Sequence, residues 1–261
     1  MNTPPTILVT GASRGLGRAT AQCLARLGCR LALCSRTAPE PWWEELPKEM
    51  WLYETLDLGQ TEQIGRFVAK VAEKFGSLDV LINNASLLGP SGPIAETDLD
   101  GWIQAINVNI CGSVAMLKCC LPLLRTSRGC AIQVTSSAGF VPIAHCAPYC
   151  LTKAAQIMLL RTLGTEEQEV KALCYDPSMM DSDMQATVRS EVVPKLPQPY
   201  QQLFTQPYKQ GLVFDLPSSG YTLAWVAIHH HAQPQGAIVN GADPQLRQLA
   251  LDWWTGHTAS S

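Results

Sequence analysis

Short apolar runs that alternate with segments of helical periodicity constrain the fold of this chain more than any other feature. The helical segments lie near 15–28, 60–75, 100–125, 150–168 and 217–230. Strands that are apolar on both faces belong in a sheet covered on both sides, and strands alternating with helices form right-handed βαβ crossovers. The pattern predicts an α/β fold on a parallel sheet with strands at 6–10, 29–35, 50–55, 78–83, 130–136, 170–175 and 236–240.

Composition narrows the class of protein. A chain of 261 residues that is 46% hydrophobic and 16% charged can bury a sizeable core, and the pattern shows no internal repeat. The net charge of −3 argues against nucleic acid or an anionic membrane as a partner. The first apolar run ends at Gly11, too short for a signal peptide or a membrane span. Ten scattered cysteines predict reduced thiols and a cytoplasmic location, and no metal site is expected.

One segment, at about 184–217, interrupts the alternation of strands and helices. It is rich in proline among glutamine and aromatic residues, and too little chain follows it to build a second domain. A linker between domains is the alternative. We interpret the segment as an insertion in a single domain, 1–261, that covers a binding site.

Three glycines follow the first predicted strand and open the first predicted helix. Gly11, Gly15 and Gly17 stand in the stretch "VTGASRGLG", with spacing G-x-x-x-G-x-G. Glycine at such a turn lets the backbone approach a pyrophosphate, which then binds to the N-terminal amides of the helix. The turn therefore predicts a dinucleotide site, with Leu16 at the helix start.

The end of the second predicted strand indicates which dinucleotide. Enzymes that prefer NAD usually place a carboxylate there, whereas this chain has Ser35 and Arg36, and the glycine turn adds Ser13 and Arg14. Two guanidinium groups and two hydroxyls suit the 2′-phosphate of NADPH. Asp57, after the third strand and before Leu58, either accepts from the adenine amino group or caps the next helix.

Four further motifs extend the pattern: "INNAS" at 82–86, "NVNICGS" at 107–113, "TSSAG" at 135–139 and "YCLTK" at 149–153. In this order and spacing, from about residue 5 to 243, the chain resembles the short-chain dehydrogenase/reductase family. The resemblance implies a single Rossmann-type domain: a doubly wound, seven-stranded parallel sheet with helices on both faces. It also implies an NADP(H)-dependent oxidoreductase that forms homodimers or homotetramers.

The family's catalytic group carries over onto Asn109, Ser136, Tyr149 and Lys153, with Asn107 and Ser137 as the weaker candidates for the first two. Tyr149 would protonate the oxygen of a carbonyl that receives hydride, and the ammonium of Lys153, four residues along the same helix face, would lower the phenol pKa. Ser136 would bind the oxygen as it gains charge. Asn109 would hold a water that reconnects the lysine to solvent.

The remaining cofactor contacts carry over from the same motifs, with two departures. Serine replaces the family's usual glycine at Ser86 and Ser178, whereas Ser182 keeps the hydroxyl of a threonine that contacts the carboxamide. The full predicted cofactor set is Gly11, Ser13, Arg14, Gly15, Leu16, Gly17, Ser35, Arg36, Asp57, Leu58, Asn84, Ala85, Ser86, Tyr149, Lys153, Pro177, Ser178 and Ser182.

The substrate expectations rest on a second, narrower resemblance, to sepiapterin reductase-like carbonyl reductases, over "CYDPSMMDSDMQ" at 174–185 and the tail around 211–243. The anchor carboxylate of those enzymes falls on Asn240, or less securely on Asp243, so a broader ketone or diketone reductase is an equal expectation. Reduction of a C=N bond and a silent NADPH sensor remain as alternatives. The predicted substrate is a small apolar or aromatic carbonyl bound by Ser136, Phe140, Tyr149, Met179 and Met180.

Overall fold

A seven-stranded sheet organises the protein. The computed structural model describes residues 4–38 and 41–258, so residues 1–3, 39–40 and 259–261 of the predicted domain lie outside the description. Each neighbouring pair of strands is parallel, and the order is β3-β2-β1-β4-β5-β6-β7, which confirms the predicted doubly wound sheet. The strands are β1 (Thr6–Thr10), β2 (Arg30–Ser35), β3 (Trp51–Thr55), β4 (Val80–Asn83), β5 (Cys130–Val134), β6 (Lys171–Asp176) and β7 (Ile238–Asn240).

Helices cover both faces of the sheet, as predicted. One apolar core joins α1, α8 and α9 to one face, and a second joins α2, α4 and α5 to the other. Successive strand residues alternate between the two cores, which is why most of the strands are apolar on both faces. The helices are α1 (Gly15–Arg26), α2 (Thr61–Phe75), α3 (Leu99–Ile106), α4 (Ser113–Ser127), α5 (Ala147–Glu166), α6 (Asp183–Thr187), α7 (Gln198–Lys209), α8 (Leu216–Ile228) and α9 (Pro244–Thr258).

A π-helical turn, Asn107–Gly112, joins α3 to α4 where the sequence predicted one uninterrupted helix. The continuous stretch Leu99–Ser127 is long and apolar enough to cross a membrane by length and composition alone. Its apolar residues Met116, Leu117 and Cys120 are buried in the core shared with α2 and α5, as in the core helix of a globular domain. The π turn brings Gly112 against Leu58, so closely that a Cβ there would lie 2.6 Å from the Leu58 carbonyl oxygen.

The proline-rich insertion folds into short helices. After α6 come a π-helical turn, Val188–Val192, a 3₁₀ turn and α7, which the sequence reasoning did not predict. A third apolar cluster joins this segment to the start of α5 and includes Val192, Leu196, Phe204 and Tyr149. The insertion therefore rests on the helix that carries the predicted catalytic tyrosine.

Candidate active site

One cavity of about 470 Å³ lies at the carboxyl ends of the strands. It runs from the turn between β1 and α1 to the side chains of Tyr149 and Lys153 on α5. Open α/β sheets place ligands at this edge, beside the point where the strand order reverses. The predicted residues on its wall are Gly11, Ser13, Arg14, Gly15, Leu16, Ser35, Arg36, Asp57, Leu58, Asn84, Ala85, Ser86, Tyr149, Lys153, Pro177, Met180 and Ser182.

The glycine turn has the backbone that its sequence predicted. Gly11 and Gly15 adopt positive φ angles of 69° and 57°, a region that glycine enters without strain. Gly17 lies behind the turn rather than on the wall; a Cβ there would be 2.4 Å from the Gly11 carbonyl oxygen. Helix α1 begins without a side-chain cap, so its first backbone N–H groups remain available to an anion.

A hydrogen-bonded brace ties the ends of β1 and β4 together beneath the cavity. The Thr10 hydroxyl accepts from the backbone N–H groups of Asn84 and Ala85, each at 3.0 Å. The Asn84 amide in turn donates to the Thr10 carbonyl at 2.9 Å. Thr10 was not among the predicted residues, and its one sequence signal is a hydroxyl directly before the glycine turn.

The groups predicted to hold a 2′-phosphate lie in three different settings. Arg36 is exposed at the end of β2, whereas the buried Ser35 hydroxyl bonds to the Tyr53 hydroxyl at 2.8 Å. Arg14 instead pairs with Asp183 of α6 at 3.3 Å, and both side chains are largely exposed. Arg14 and Asp183 both lie on the cavity wall, so their ion pair joins the two sides of the cavity.

Asp57 does not cap α2, the helix-capping alternative for it, because the N-cap residue is Gln60 and no side chain caps the helix; Asp57 instead closes the turn before α2. Its Oδ1 accepts from the backbone N–H of Gly59 at 2.9 Å, just before α2, while the residue remains on the cavity wall. Its second carboxylate oxygen leaves room for a further contact, so the predicted adenine contact stays a prediction.

The tyrosine and lysine of the "YCLTK" motif lie together on α5. Lys153 is 1% exposed; its Nζ donates to the Val134 carbonyl at 2.9 Å and lies 5.4 Å from the centre of the Tyr149 ring. Burial lowers the pKa of Lys153 to about 7, although the nearby Asp176 carboxylate opposes this shift. An i, i+4 pair on one helix face thus brings a phenol and a buried amine to one end of the cavity.

The phenol pKa moves opposite to the sequence expectation. Burial raises the pKa of Tyr149 above its usual range, and a hydrogen bond with Ser136 only partly lowers it. The sequence expectation considered the lysine charge and not the desolvation of both groups, which sets the direction of the shift here. Ser136 also accepts from the Ala138 N–H at 3.2 Å, which orients its hydroxyl at the end of β5.

Comparison with known proteins decides the family. The family model described as short chain dehydrogenase matches residues 5–193. This chain belongs to the short-chain dehydrogenase family.

Relatives agree with that assignment. An uncharacterized oxidoreductase of Schizosaccharomyces pombe is 32% identical over 191 residues, covering 71% of this chain and 74% of the relative. Benzil reductase ((S)-benzoin forming) of Saccharomyces cerevisiae is 28% identical over 222 residues, covering 80% and 84%. The crystal structure of the KRED1-Pglu enzyme superposes with a TM-score of 0.84 at 28% identity, covering 90% of this chain and 100% of that one. The chain is thus an oxidoreductase by family.

The family's asparagine, Asn109, lies behind the cavity rather than on its wall. It is fully buried in the π turn, and its amide both donates to the Leu87 carbonyl and accepts from the Leu87 N–H, each at 2.8 Å. The side-chain amide of Asn109 also donates to the Thr152 hydroxyl at 3.0 Å. The main-chain carbonyl of Asn109 accepts from Gln156 Nε2 at 2.6 Å. Asn109 therefore braces the loop after β4, while the weaker candidate, Asn107, is exposed.

The two serines that replace family glycines differ in setting. Ser178 is exposed off the cavity wall with a positive φ of 61°, a conformation that costs a non-glycine residue about 1 kcal/mol. Its N–H donates to the Asp176 carboxylate at 2.9 Å, which holds the turn. Ser86 lines the cavity, and its hydroxyl oxygen is buried with no partner in the described part of the chain. Ser182 caps α6 by accepting from the Gln185 N–H.

The predicted substrate residues are only partly gathered at the cavity. Met180 lies on the wall, whereas Phe140 is 55% exposed and Met179 lies beside the wall, its carbonyl accepting from the Phe214 N–H. The fallback serine, Ser137, is exposed on the loop before Phe140.

The proposed pterin anchors lie outside the cavity wall. Asn240 accepts from the Ala242 N–H at 3.0 Å, and Asp243 caps α9 by accepting from the Leu246 N–H at 2.9 Å. Both side chains are used in local turns at the end of β7. The geometry therefore gives no support to a pterin-specific site.

Proposed function

We propose that this protein is an NADPH-dependent reductase that converts a ketone or diketone to an alcohol, with Tyr149 as the proton donor. One observation carries the proposal: a single cavity joins the glycine turn to Tyr149 and Lys153. A dinucleotide bound by the turn would bring its far end to the phenol and the amine.

The phosphate end of the cavity fits a dinucleotide. The uncapped start of α1, the space around Gly15 and the guanidinium of Arg36 together offer donors and positive charge to a pyrophosphate and a 2′-phosphate. The carboxylates on the described wall are those of Asp57 and Asp183, and neither stands at the end of β2. Solved structures with the same fold include complexes with NAD and with NADP, so the preference for NADPH rests on Arg36.

The chemistry follows from the residues around the phenol. When bound, the reduced nicotinamide supplies hydride to the carbonyl carbon. Tyr149 would transfer its proton to the carbonyl oxygen, and Ser136, bonded to the phenol, would donate to that same oxygen. The raised phenol pKa keeps Tyr149 in its protonated form at neutral pH. Lys153, fixed on the Val134 carbonyl, stabilises the phenolate that remains.

The substrate side favours a neutral, apolar molecule. Leu87, Met180 and Met184 line the cavity, and the apolar cluster of the insertion adjoins Tyr149. The similarity to benzil reductase supports an aromatic diketone as the first substrate to test. The pterin side chain of the narrower resemblance is a second one.

The test is consumption of NADPH with benzil, an aliphatic diketone, sepiapterin and a cyclic imine. We expect turnover with a diketone, and about 10³-fold less in Tyr149→Phe with NADPH binding retained. Tyr221→Phe is the matched control, because it removes a phenol on α8, away from the cavity. Turnover of the imine alone would favour C=N reduction, and NADPH binding without turnover would favour a sensor.

Two further expectations remain proposals. Exposed apolar side chains on α3 and α5, among them Leu99, Ile103, Leu151 and Met158, support a homodimer or homotetramer built on these helices. Ten free cysteines, most of them buried, support a cytoplasmic location. Light scattering of the purified protein would test the first.

A further inference from the structure

Three oxygen atoms at the end of β2 form a closed hydrogen-bonded triangle. The Ser35 hydroxyl lies 2.8 Å from the Tyr53 hydroxyl and donates to the Thr37 carbonyl at 2.9 Å. The Tyr53 hydroxyl lies 3.1 Å from the same carbonyl. Tyr53 belongs to the neighbouring strand β3, so the triangle ties the end of β2 to the edge strand of the sheet. The predicted cofactor set did not include Tyr53.

The triangle lies directly behind the part of the cavity wall that carries Arg36. Ser35, Arg36 and Thr37 all line the cavity, whereas Tyr53 lies off its wall. Ser35 is 5% exposed, while Arg36 is exposed. Arg36 is thus flanked in the chain by two residues whose oxygen atoms bond to one phenol. Tyr53 can therefore act on this end of the cavity only through Ser35 and Thr37.

The Tyr53 ring is held in place beneath the end of β2. It stacks on the Trp43 ring, with 4.4 Å between the ring centres and 18° between the ring planes. Trp43 is 3% exposed in the apolar core beside α1, and Tyr53 packs against the same core. The stack fixes the position of the phenol oxygen but leaves its O–H bond free to rotate. Removal of the hydroxyl alone therefore keeps the ring contacts.

The triangle holds fewer hydrogens than its three oxygen atoms can accept. Each hydroxyl carries one hydrogen, and the Thr37 carbonyl only accepts. When Ser35 donates to Thr37, Tyr53 donates to Ser35. In the other arrangement Tyr53 donates to Thr37, and the Ser35 hydrogen is free to turn towards the cavity. The two arrangements differ only by rotation of two O–H bonds, so no backbone or side chain has to move.

We propose that Tyr53 favours NADPH by releasing the Ser35 hydrogen to its 2′-phosphate. An ionised phosphate oxygen accepts hydrogen bonds and donates none, so it binds Ser35 only when the Ser35 hydroxyl donates. Tyr53 then donates to the Thr37 carbonyl, which otherwise loses its partner. The 2′-hydroxyl of NADH has a hydrogen of its own and can donate to Ser35 without that exchange. Tyr53 is a positioning residue, and its role rests on the NADPH preference in the proposed function.

A binding test requires no substrate. Adenosine 2′,5′-bisphosphate and 5′-AMP differ by the 2′-phosphate alone, and calorimetry measures the affinity for each. In Tyr53→Phe we expect about tenfold weaker binding of the bisphosphate and less than about twofold change for 5′-AMP, since a hydrogen bond to a charged group is lost. Ser35→Ala should give the same loss, and the double variant no further loss, because both residues act through one hydrogen bond. Tyr175→Phe is the matched control: it removes a buried hydroxyl from β6 in the same core and should change neither affinity.

Arg36 separates the role of Tyr53 from the NADPH preference itself. If the wild-type protein binds both nucleotides equally, the preference fails, and the role of Tyr53 fails with it. If Arg36→Ala loses an existing preference for the bisphosphate while Tyr53→Phe keeps it, only the role of Tyr53 is refuted. A crystal structure with the bisphosphate serves if Tyr53→Phe does not fold. Ser35 should then lie within hydrogen-bond distance of the 2′-phosphate, with Tyr53 on the Thr37 carbonyl, and a Ser35 hydroxyl without that contact would overturn the proposal.

Discussion

The two sides of the cavity are held together by different kinds of contact. The phosphate side, residues 10–17 and 83–86, is built from backbone and short side chains, such as the Thr10–Asn84 brace. The substrate side, residues 178–215, leaves Leu203 61% and Leu212 64% exposed. The phosphate side is fixed by close backbone packing, whereas the substrate side also depends on contacts between side chains.

Two arginines contact aromatic rings on the substrate side. Arg189 lies 3.9 Å from the centre of the Tyr208 ring and bonds to Asp181 at 3.0 Å. Arg247 of α9 lies 3.5 Å from the centre of the Phe214 ring. Backbone contacts cannot relax around an added atom, but side-chain contacts can shift by a rotamer. We therefore expect the phosphate side to tolerate change less than the substrate side.

The largest expected effect is a loss of stability when one methyl group is added on the phosphate side, compared with the same addition on the substrate side. In Gly17→Ala the new Cβ would lie 2.4 Å from the Gly11 carbonyl oxygen and 2.5 Å from Asn84 Nδ2. We expect the free energy of unfolding to fall by about 3 kcal/mol and NADPH binding to weaken strongly. Gly211→Ala, on the substrate side, meets no atom within 4 Å and should cost only about 1 kcal/mol, from its positive φ of 66°. Urea denaturation measures both, and equal losses would contradict the contrast.

The contrast between the phosphate side and the substrate side also explains which features could be predicted from the sequence. The apolar runs and the glycine turn are local patterns, so the sheet and the phosphate side follow from them. Strand ends were misplaced by one or two residues because apolar burial continues past the ladder; Leu78 and Val170 are buried just before β4 and β6. Tyr149 and Lys153 were predicted from the family resemblance, and their i, i+4 spacing on one helix explains why they lie together.

The remaining features depend on contacts between distant residues. The π turn leaves the Asn109 carbonyl to accept from Gln156, 47 residues away, and no local pattern encodes that pairing. The contact between Arg189 and the Tyr208 ring likewise joins two short helical segments, each of which has little helical preference of its own. The directions of the pKa shifts of Tyr149 and Lys153 could not be predicted from the sequence, because they are set by burial, which is a tertiary property.

The next effect should appear on the substrate side alone. Arg189→Met keeps the apolar stem but removes the cation–π contact with Tyr208 and the ion pair with Asp181. We expect cleavage by a protease within 183–215 to become about tenfold faster, as local opening becomes easier by about 1.4 kcal/mol. Arg128→Met is the control, since it removes an exposed ion pair with Glu169 outside the cavity. An unchanged cleavage rate in Arg189→Met would show that the contacts of Arg189 with Tyr208 and Asp181 do not hold residues 183–215 in place.

The smallest effect concerns the contact that joins the two sides. Asp183 pairs with Arg14 at 3.3 Å, and both are more than two-thirds exposed, so the pair itself stabilises the fold little. Asp183→Asn removes a carboxylate from the cavity wall and frees Arg14 to face a phosphate. NADPH should then bind about threefold tighter, and NADH less so, because NADPH carries the additional 2′-phosphate.

Fluorescence titration of both cofactors measures this difference, and raising the salt concentration should shrink it. Asp181→Asn is the matched control, since it removes a carboxylate two residues away that pairs with Arg189 and lies off the wall. An equal gain for both cofactors, or the same gain in the control, would mean that net charge rather than the released Arg14 is responsible. A gain confined to Asp183→Asn and larger for NADPH would show that the substrate side, through one carboxylate, tunes the cofactor preference of the phosphate side.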